Sequence, residues 1–167
     1  MELLIIRHAI AAARDEDRWS DDGLRPLTQM GMRRSRRAAA GLKLITKAPD
    51  RLLTSPLVRA RQTAKILTEV AGWPPAEKLP ELLPGTAVLK VLTLLAKDRS
   101  QRVALVGHQP DLGALLSVCL LGNHDALSVD LKKNAVACVS FQGPARAGKA
   151  VLKWLATPSM LRRLRRD

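Results

Sequence analysis

Leu3-Leu4-Ile5-Ile6-Arg7-His8 opens the chain with four apolar residues and closes on an arginine and a histidine. A short apolar run without polar alternation reads as a strand buried on both faces of a parallel sheet, not a half-exposed one. Neighbours on a strand point to opposite faces, so Arg7 and His8 serve one site only if the chain leaves strand geometry there. That puts them at the carboxyl edge of a sheet, where open α/β sheets bind ligands.

The same design returns in Arg102-Val103-Ala104-Leu105-Val106-Gly107-His108, again a buried strand with a histidine at its end. Pro110 then opens a helix with Asp111 in its first turn and Leu112, Leu115, Leu116, Cys119 and Leu120 facing inward. A third junction follows the short strand Arg51-Leu52-Leu53-Thr54, where Ser55 reads as an N-cap and Pro56 as the first helical position. This helix runs to about Gly72 on an apolar face of Leu57, Ala60, Ala64, Leu67 and Ala71. Arg59 and Arg61 fall in or beside its first turn, where the macrodipole disfavours cations, and a bound anion would reverse that cost.

Elsewhere, residues 9–26 read as a loop carrying Asp15, Asp17, Asp21 and Asp22. Thr28 caps a helix whose inward positions are Met32, Ser35, Ala38, Ala39, Leu42 and Ile45, with Arg33, Arg36, Arg37, Lys43 and Lys47 on a solvated face. Residues 78–83, interrupted by Pro80, read as a short edge strand, and residues 87–97 as a helix. Ala135 to Phe141 and Ala150 to Leu155 read as a closing hairpin at one side of the sheet, and residues 161–166 as a solvated, frayed basic end.

With 167 residues, 47% apolar, the chain fits one globular domain, residues 1–167. No apolar run approaches the roughly 18 residues that span a bilayer, and the N-terminus lacks a signal-peptide layout, so a cytoplasmic protein is expected. Cys119 and Cys138 lie in apolar settings without metal or redox spacing and read as buried free thiols. The three histidines show no i, i+3 or i, i+4 pairing, so no metal site is expected, and His124 reads as a surface residue. The net charge of +13 fits an acidic partner, a polyanion or small anionic substrates steered by a positive field. With no Tyr and one Phe, base stacking has little to work with, and nucleic acid is the weakest of these partners.

Right-handed crossovers in a parallel sheet bring all three junctions to one edge although they lie about fifty residues apart. Arg7, Arg59, His8 and His108 would then converge with two helix N-termini around one point. Arginine forks match phosphate oxygens, helix N-termini add donors and positive dipoles, and a histidine with one free ring nitrogen can attack phosphorus. The residues alone leave open whether His8 or His108 attacks.

Four blocks carry a resemblance. Leu4-Ile5-Ile6-Arg7-His8-Ala9, Arg25-Pro26-Leu27-Thr28-Gln29-Met30-Gly31, Thr54-Ser55-Pro56-Leu57-Val58-Arg59-Ala60-Arg61-Gln62-Thr63-Ala64 and Val106-Gly107-His108-Gln109-Pro110 resemble the signatures of the histidine phosphatase superfamily, the phosphoglycerate-mutase-like group. The compact length and Arg-His-Ala form resemble its SixA-type phosphohistidine phosphatases. The resemblance implies a three-layer α/β/α fold with a mostly parallel central sheet and no large cap insertion. It implies His8 as nucleophile, Arg7, Arg59 and His108 as ligands of the phosphoryl group, and no metal or other cofactor. It implies a substrate that is a phosphorylated small molecule or a phosphohistidine-bearing protein. Ala9 stands where many relatives have glycine. Glu81 falls near the acidic residue of mutase-like relatives and is the candidate proton donor, with Asp15 or Asp17 as alternatives. A phosphoglycerate-type mutase and a phosphate-binding module without turnover are the competing readings.

Overall fold

The computed structural model describes residues 1–164 and contains one six-stranded sheet in the order β3-β2-β4-β1-β5-β6. The strands are β1 (Glu2–Arg7), β2 (Arg51–Thr54), β3 (Ala76–Lys78), β4 (Arg102–Gly107), β5 (Val136–Phe141) and β6 (Ala150–Ala156). The first four are mutually parallel, and β5 and β6 add an antiparallel hairpin beside β1. The helices are α1 (Gln29–Ile45), α2 (Val58–Ile66, prolonged by a wider turn over Leu67–Ala71), α3 (Val88–Lys97), α4 (Asp111–Leu121) and α5 (Pro158–Leu164).

Both faces of the sheet are covered, which is why its central strands lack polar alternation. Leu4 and Ile6 pack with Ala38, Leu42, Ala60, Ala64 and Leu161 of α1, α2 and α5. Leu3 and Ile5 pack on the other face with Val91, Leu92, Leu95, Leu112 and Leu115 of α3 and α4. The expected three-layer arrangement is therefore present, and the register Arg7↔Gly107 brings the ends of β1 and β4 level.

Four sequence expectations need correction. Met32 and Ile45 are exposed; Ser35, Ala38, Ala39 and Leu42 face inward as expected, joined by Gly31 and Gly41, and the small residues among them allow close packing. Ser55 is not an N-cap. Leu57 takes that position without a side-chain cap bond, and Ser55 lies buried in the preceding turn. The edge strand ends at Lys78, and Glu81 belongs to a 3-10 turn over Pro80–Leu82 because proline removes the ladder donor. The basic end is helical as far as Leu164 and anchored by Leu161, which is fully buried with its carbonyl facing Gly41, whereas Arg163 and Leu164 are exposed as expected. Arg165 and Arg166 lie outside the described residues.

Candidate active site

β1 stops at Arg7, and the chain turns away so that neighbouring side chains serve one place. The amide of His8 still donates to the Gly107 carbonyl at 3.0 Å, while the Asn134 amide reaches the carbonyls of Arg7 and His8 at 3.1 and 3.2 Å. Asn134 turns there with φ +71°, a left-handed conformation that asparagine tolerates better than most residues.

The His8 and His108 rings meet with centroids 5.0 Å apart. His8 Nδ1 lies 2.7 Å from the Ala9 carbonyl. A carbonyl only accepts, so Nδ1 carries the proton and Nε2 keeps its lone pair. Burial, with the charges of Arg59, Arg7 and Lys133, pushes the His8 pKa down to about 4 against an opposing pull from the Ala9 bond. Burial, together with His8 and Arg59, pushes that of His108 down to about 3. Both rings are neutral at pH 7.

His108 Nε2 pairs with Ser55 Oγ at 2.8 Å, and the Leu57 amide donates to the same hydroxyl at 3.4 Å. The amide of Ala9 donates to Thr63 Oγ1 at 3.0 Å, and that hydroxyl donates to the Arg59 carbonyl at 2.8 Å, tying the turn after β1 to the first turns of α2. Arg59 is buried and held by Asp22, whose carboxylate lies 3.0 Å from Nη2. Arg7 donates to the Leu131 carbonyl at 2.6 Å and lies 3.5 Å from Asp130. Arg7 Nε, Arg59 Nε and His108 Nδ1 are buried without a hydrogen-bond partner among the described residues. Unsatisfied buried groups are rare in native proteins, and a cluster of cationic or donor-capable nitrogens fits an anion with several oxygens.

The structure thus brings Arg7, His8, Arg59 and His108 to one sheet edge. Glu81 shares a narrow, largely apolar cleft with His108 and Asp111 that Arg7, His8 and Arg59 do not line. Asp15 and Asp17 are exposed, and Asp15 accepts from the Arg18 amide. The sequence reading did not assign a site role to Asp22, Ser55, Thr63 or Asn134. Ser55 and Thr63 lie in the block that carries Arg59, but no local pattern marks which partner each one meets.

The profile of the histidine phosphatase superfamily (branch 1) matches residues 3–83. Phosphohistidine phosphatase SixA of Escherichia coli (strain K12) is 30% identical over 166 residues, 97% of each chain. The chain belongs to the histidine phosphatase superfamily. An uncharacterised protein of Picosynechococcus sp. (strain ATCC 27264 / PCC 7002 / PR-6) is 40% identical over 116 residues, 68% of this chain and 69% of that one. The structure of the protein histidine phosphatase SixA complexed with tungstate superposes with a TM-score of 0.81 at 29% identity, covering 95% of this chain and 98% of that one. This member of the superfamily is a SixA-like phosphatase in sequence and fold, and among its described residues no helix is long and apolar enough to cross a membrane.

Proposed function

We propose that this phosphatase hydrolyses the phosphohistidine of a protein, or a small phosphate compound, through a covalent phosphohistidine on His8. The observation that carries the reading is the free Nε2 of His8, set by the Nδ1 bond to Ala9, beside two arginines and a second histidine. A neutral imidazole with a fixed tautomer is a nucleophile at neutral pH without a separate base.

In the first step the Nε2 lone pair forms a bond to phosphorus and the bond from phosphorus to the leaving nitrogen or oxygen breaks, its electrons staying with the leaving atom. Arg7 and Arg59 offset the charge of the non-bridging oxygens and neutral His108 donates a hydrogen bond to one of them, as phosphoryl transfer chiefly requires positioning and electrostatic stabilisation. Two guanidiniums supply charge that a metal provides in other phosphatases, so the reaction needs no metal cofactor. In the second step water adds to phosphorus and its proton passes to solvent or to the carboxylate that Glu81 becomes after protonating an oxygen leaving group. The bond to Nε2 then breaks, releasing phosphate and restoring the lone pair.

Glu81 is the proton donor for an oxygen leaving group. A departing imidazole needs less help, since its nitrogen takes up a proton near neutral pH. Resemblance to SixA over the full chain favours the phosphohistidine substrate. The close overlay also leaves no large insertion to hold a phosphoenzyme against water, which favours hydrolysis over mutase chemistry.

The test compares an aryl phosphate with a phosphohistidine-bearing phosphocarrier protein. His8→Ala should abolish turnover of both and the acid-labile phosphoryl adduct trapped after brief exposure to substrate. Glu81→Gln should slow the ester more than the phosphoamidate. Full activity of His8→Ala would overturn the mechanism, and equal slowing by Glu81→Gln would remove Glu81 as the acid.

A further inference from the structure

Asp22 gathers three guanidiniums around one carboxylate: Arg25 Nε at 2.9 Å, Arg59 Nη2 at 3.0 Å and Arg14 Nε at 3.5 Å. Its main-chain carbonyl accepts from Arg59 Nη1 at 2.8 Å. Both terminal nitrogens of Arg59 are therefore held by one residue, one through the carboxylate and one through the carbonyl. Two contacts on a planar group fix its rotation as well as its position.

The clamp itself is anchored. Asp21 accepts from the Gly23 amide at 2.7 Å and caps the 3-10 turn over Asp22–Leu24, and Arg25 Nη1 donates to the Ala12 carbonyl at 2.8 Å. A Cβ on Gly23 would stand 3.3 Å from Leu57 Cδ2, so the turn packs closely against the N-cap residue of α2. Burial raises the Asp22 carboxyl, but the Arg25 hydrogen bond and the charges of Arg59, Arg25 and Arg14 outweigh it and hold the group below the usual carboxylate range. The carboxylate is ionised throughout the neutral range.

A buried guanidinium in the first turn of a helix, with other arginines nearby, has every electrostatic reason to swing away. We propose that Asp22 is a positioning residue that clamps the terminal nitrogens of Arg59 so that the guanidinium meets the phosphoryl group in a fixed orientation. The proposal rests on the reading of Arg59 as a phosphoryl ligand. Asp22 acts through Arg59 and is not itself a catalytic residue.

The clamp and a simple electrostatic effect predict opposite signs. Deleting a negative charge beside an anion site strengthens anion binding by Coulomb attraction alone, whereas loss of a clamp weakens it. Inhibition by inorganic phosphate and by tungstate, with kcat and KM for an aryl phosphate, is measured for Asp22→Ala, Asp22→Asn, Arg59→Ala and the Asp22→Ala/Arg59→Ala pair. Thermal melting is followed in parallel. Asp22→Ala should raise both inhibition constants and KM about tenfold and lower kcat, a typical effect of losing a charge-assisted bond. Asp22→Asn keeps the bulk, one accepting oxygen and the carbonyl, and should recover part of the loss while folding like the parent. In the Arg59→Ala background Asp22→Ala should add less than about twofold, because coupled residues are not additive. Unchanged or tighter phosphate binding by both Asp22 variants overturns the clamp, as does an equal effect of Asp22→Ala in both backgrounds. If Arg59→Ala leaves phosphate inhibition unchanged, the phosphoryl role of Arg59 fails and the clamp fails with it.

Discussion

At the scale of single residues, the two histidines have different partners and so different chemistry. His8 gives its Nδ1 proton to a main-chain carbonyl, whereas His108 has a hydroxyl at Nε2 and an unpartnered, buried Nδ1. Ser55 Oγ accepts from the Leu57 amide and keeps its proton for His108 Nε2 or a second lone pair for an Nε2 proton; the first arrangement is the one that puts the imidazole proton on the unpartnered Nδ1. A Ser55 hydroxyl that donates to Nε2 selects the tautomer in which His108 Nδ1 is the donor. Ser55→Ala should mix the two tautomers, seen in the nitrogen chemical shifts of His108, and lower kcat/KM about tenfold or more, in line with losing one buried hydrogen bond. A single unchanged tautomer at full activity would leave Ser55 with packing alone. Arg7, His8, Arg59 and His108 were legible because each is a polar residue at the end of an apolar strand or the start of a helix. Ser55, Asp22 and Thr63 were not, since their partners lie 53, 37 and 54 residues away, and a sequence pattern does not say which loop tips meet.

At the scale of elements, two glycines of α1 explain how a helix with few large inward residues packs so tightly. A Cβ on Gly31 would lie 2.0 Å from the Ile10 carbonyl oxygen, and one on Gly41 would lie 1.8 Å from that of Leu161. Both are backbone clashes that no rotamer change relieves. Gly31 seats the turn two residues beyond His8, where the Thr28 amide also bonds the Ile10 carbonyl at 3.0 Å, while Gly41 seats α5. Alanine at either position should lower stability by about 1 to 3 kcal/mol, the usual range for overpacking. Only Gly31→Ala should also depress kcat beyond its loss of folded protein, measured by activity at a temperature where both variants are folded. Equal kinetic effects would show that Ile10 transmits nothing to His8. The helix period found α1 and its Thr28 cap, but it assigned Met32 and Ile45 inward because periodicity counts apolar size, and this interface selects closeness instead.

At the scale of the whole molecule, the site makes stability depend on pH in a direction set by its two histidines. Each has a folded pKa below the ordinary 6.5, at about 4 for His8 and about 3 for His108, with burial the largest cause. Between those values and 6.5 the unfolded chain holds protons that the folded chain lacks. Stability therefore rises with pH through that window and falls on acidification from pH 7 toward 4. Asp22 adds to the loss at lower pH, since its depressed carboxyl stabilises the fold above its unfolded pKa and ceases to do so as pH falls through the folded one. Moving from pH 7 to 5 should cost on the order of 2 kcal/mol for each histidine, from 1.36 kcal/mol per pKa unit. The free energy from urea unfolding at the two pH values measures this directly. The parent should lose more than His8→Ala or His108→Ala, each of which removes one of the two contributions. An equal loss in parent and variants would place the acid sensitivity elsewhere, among carboxylates such as Asp98, which hydrogen bonds from Ser100 and the Arg51 guanidinium hold low against burial. Burial and the cationic neighbours that keep the His8 ring unprotonated at pH 7 are thus also what makes the fold lose stability on acidification.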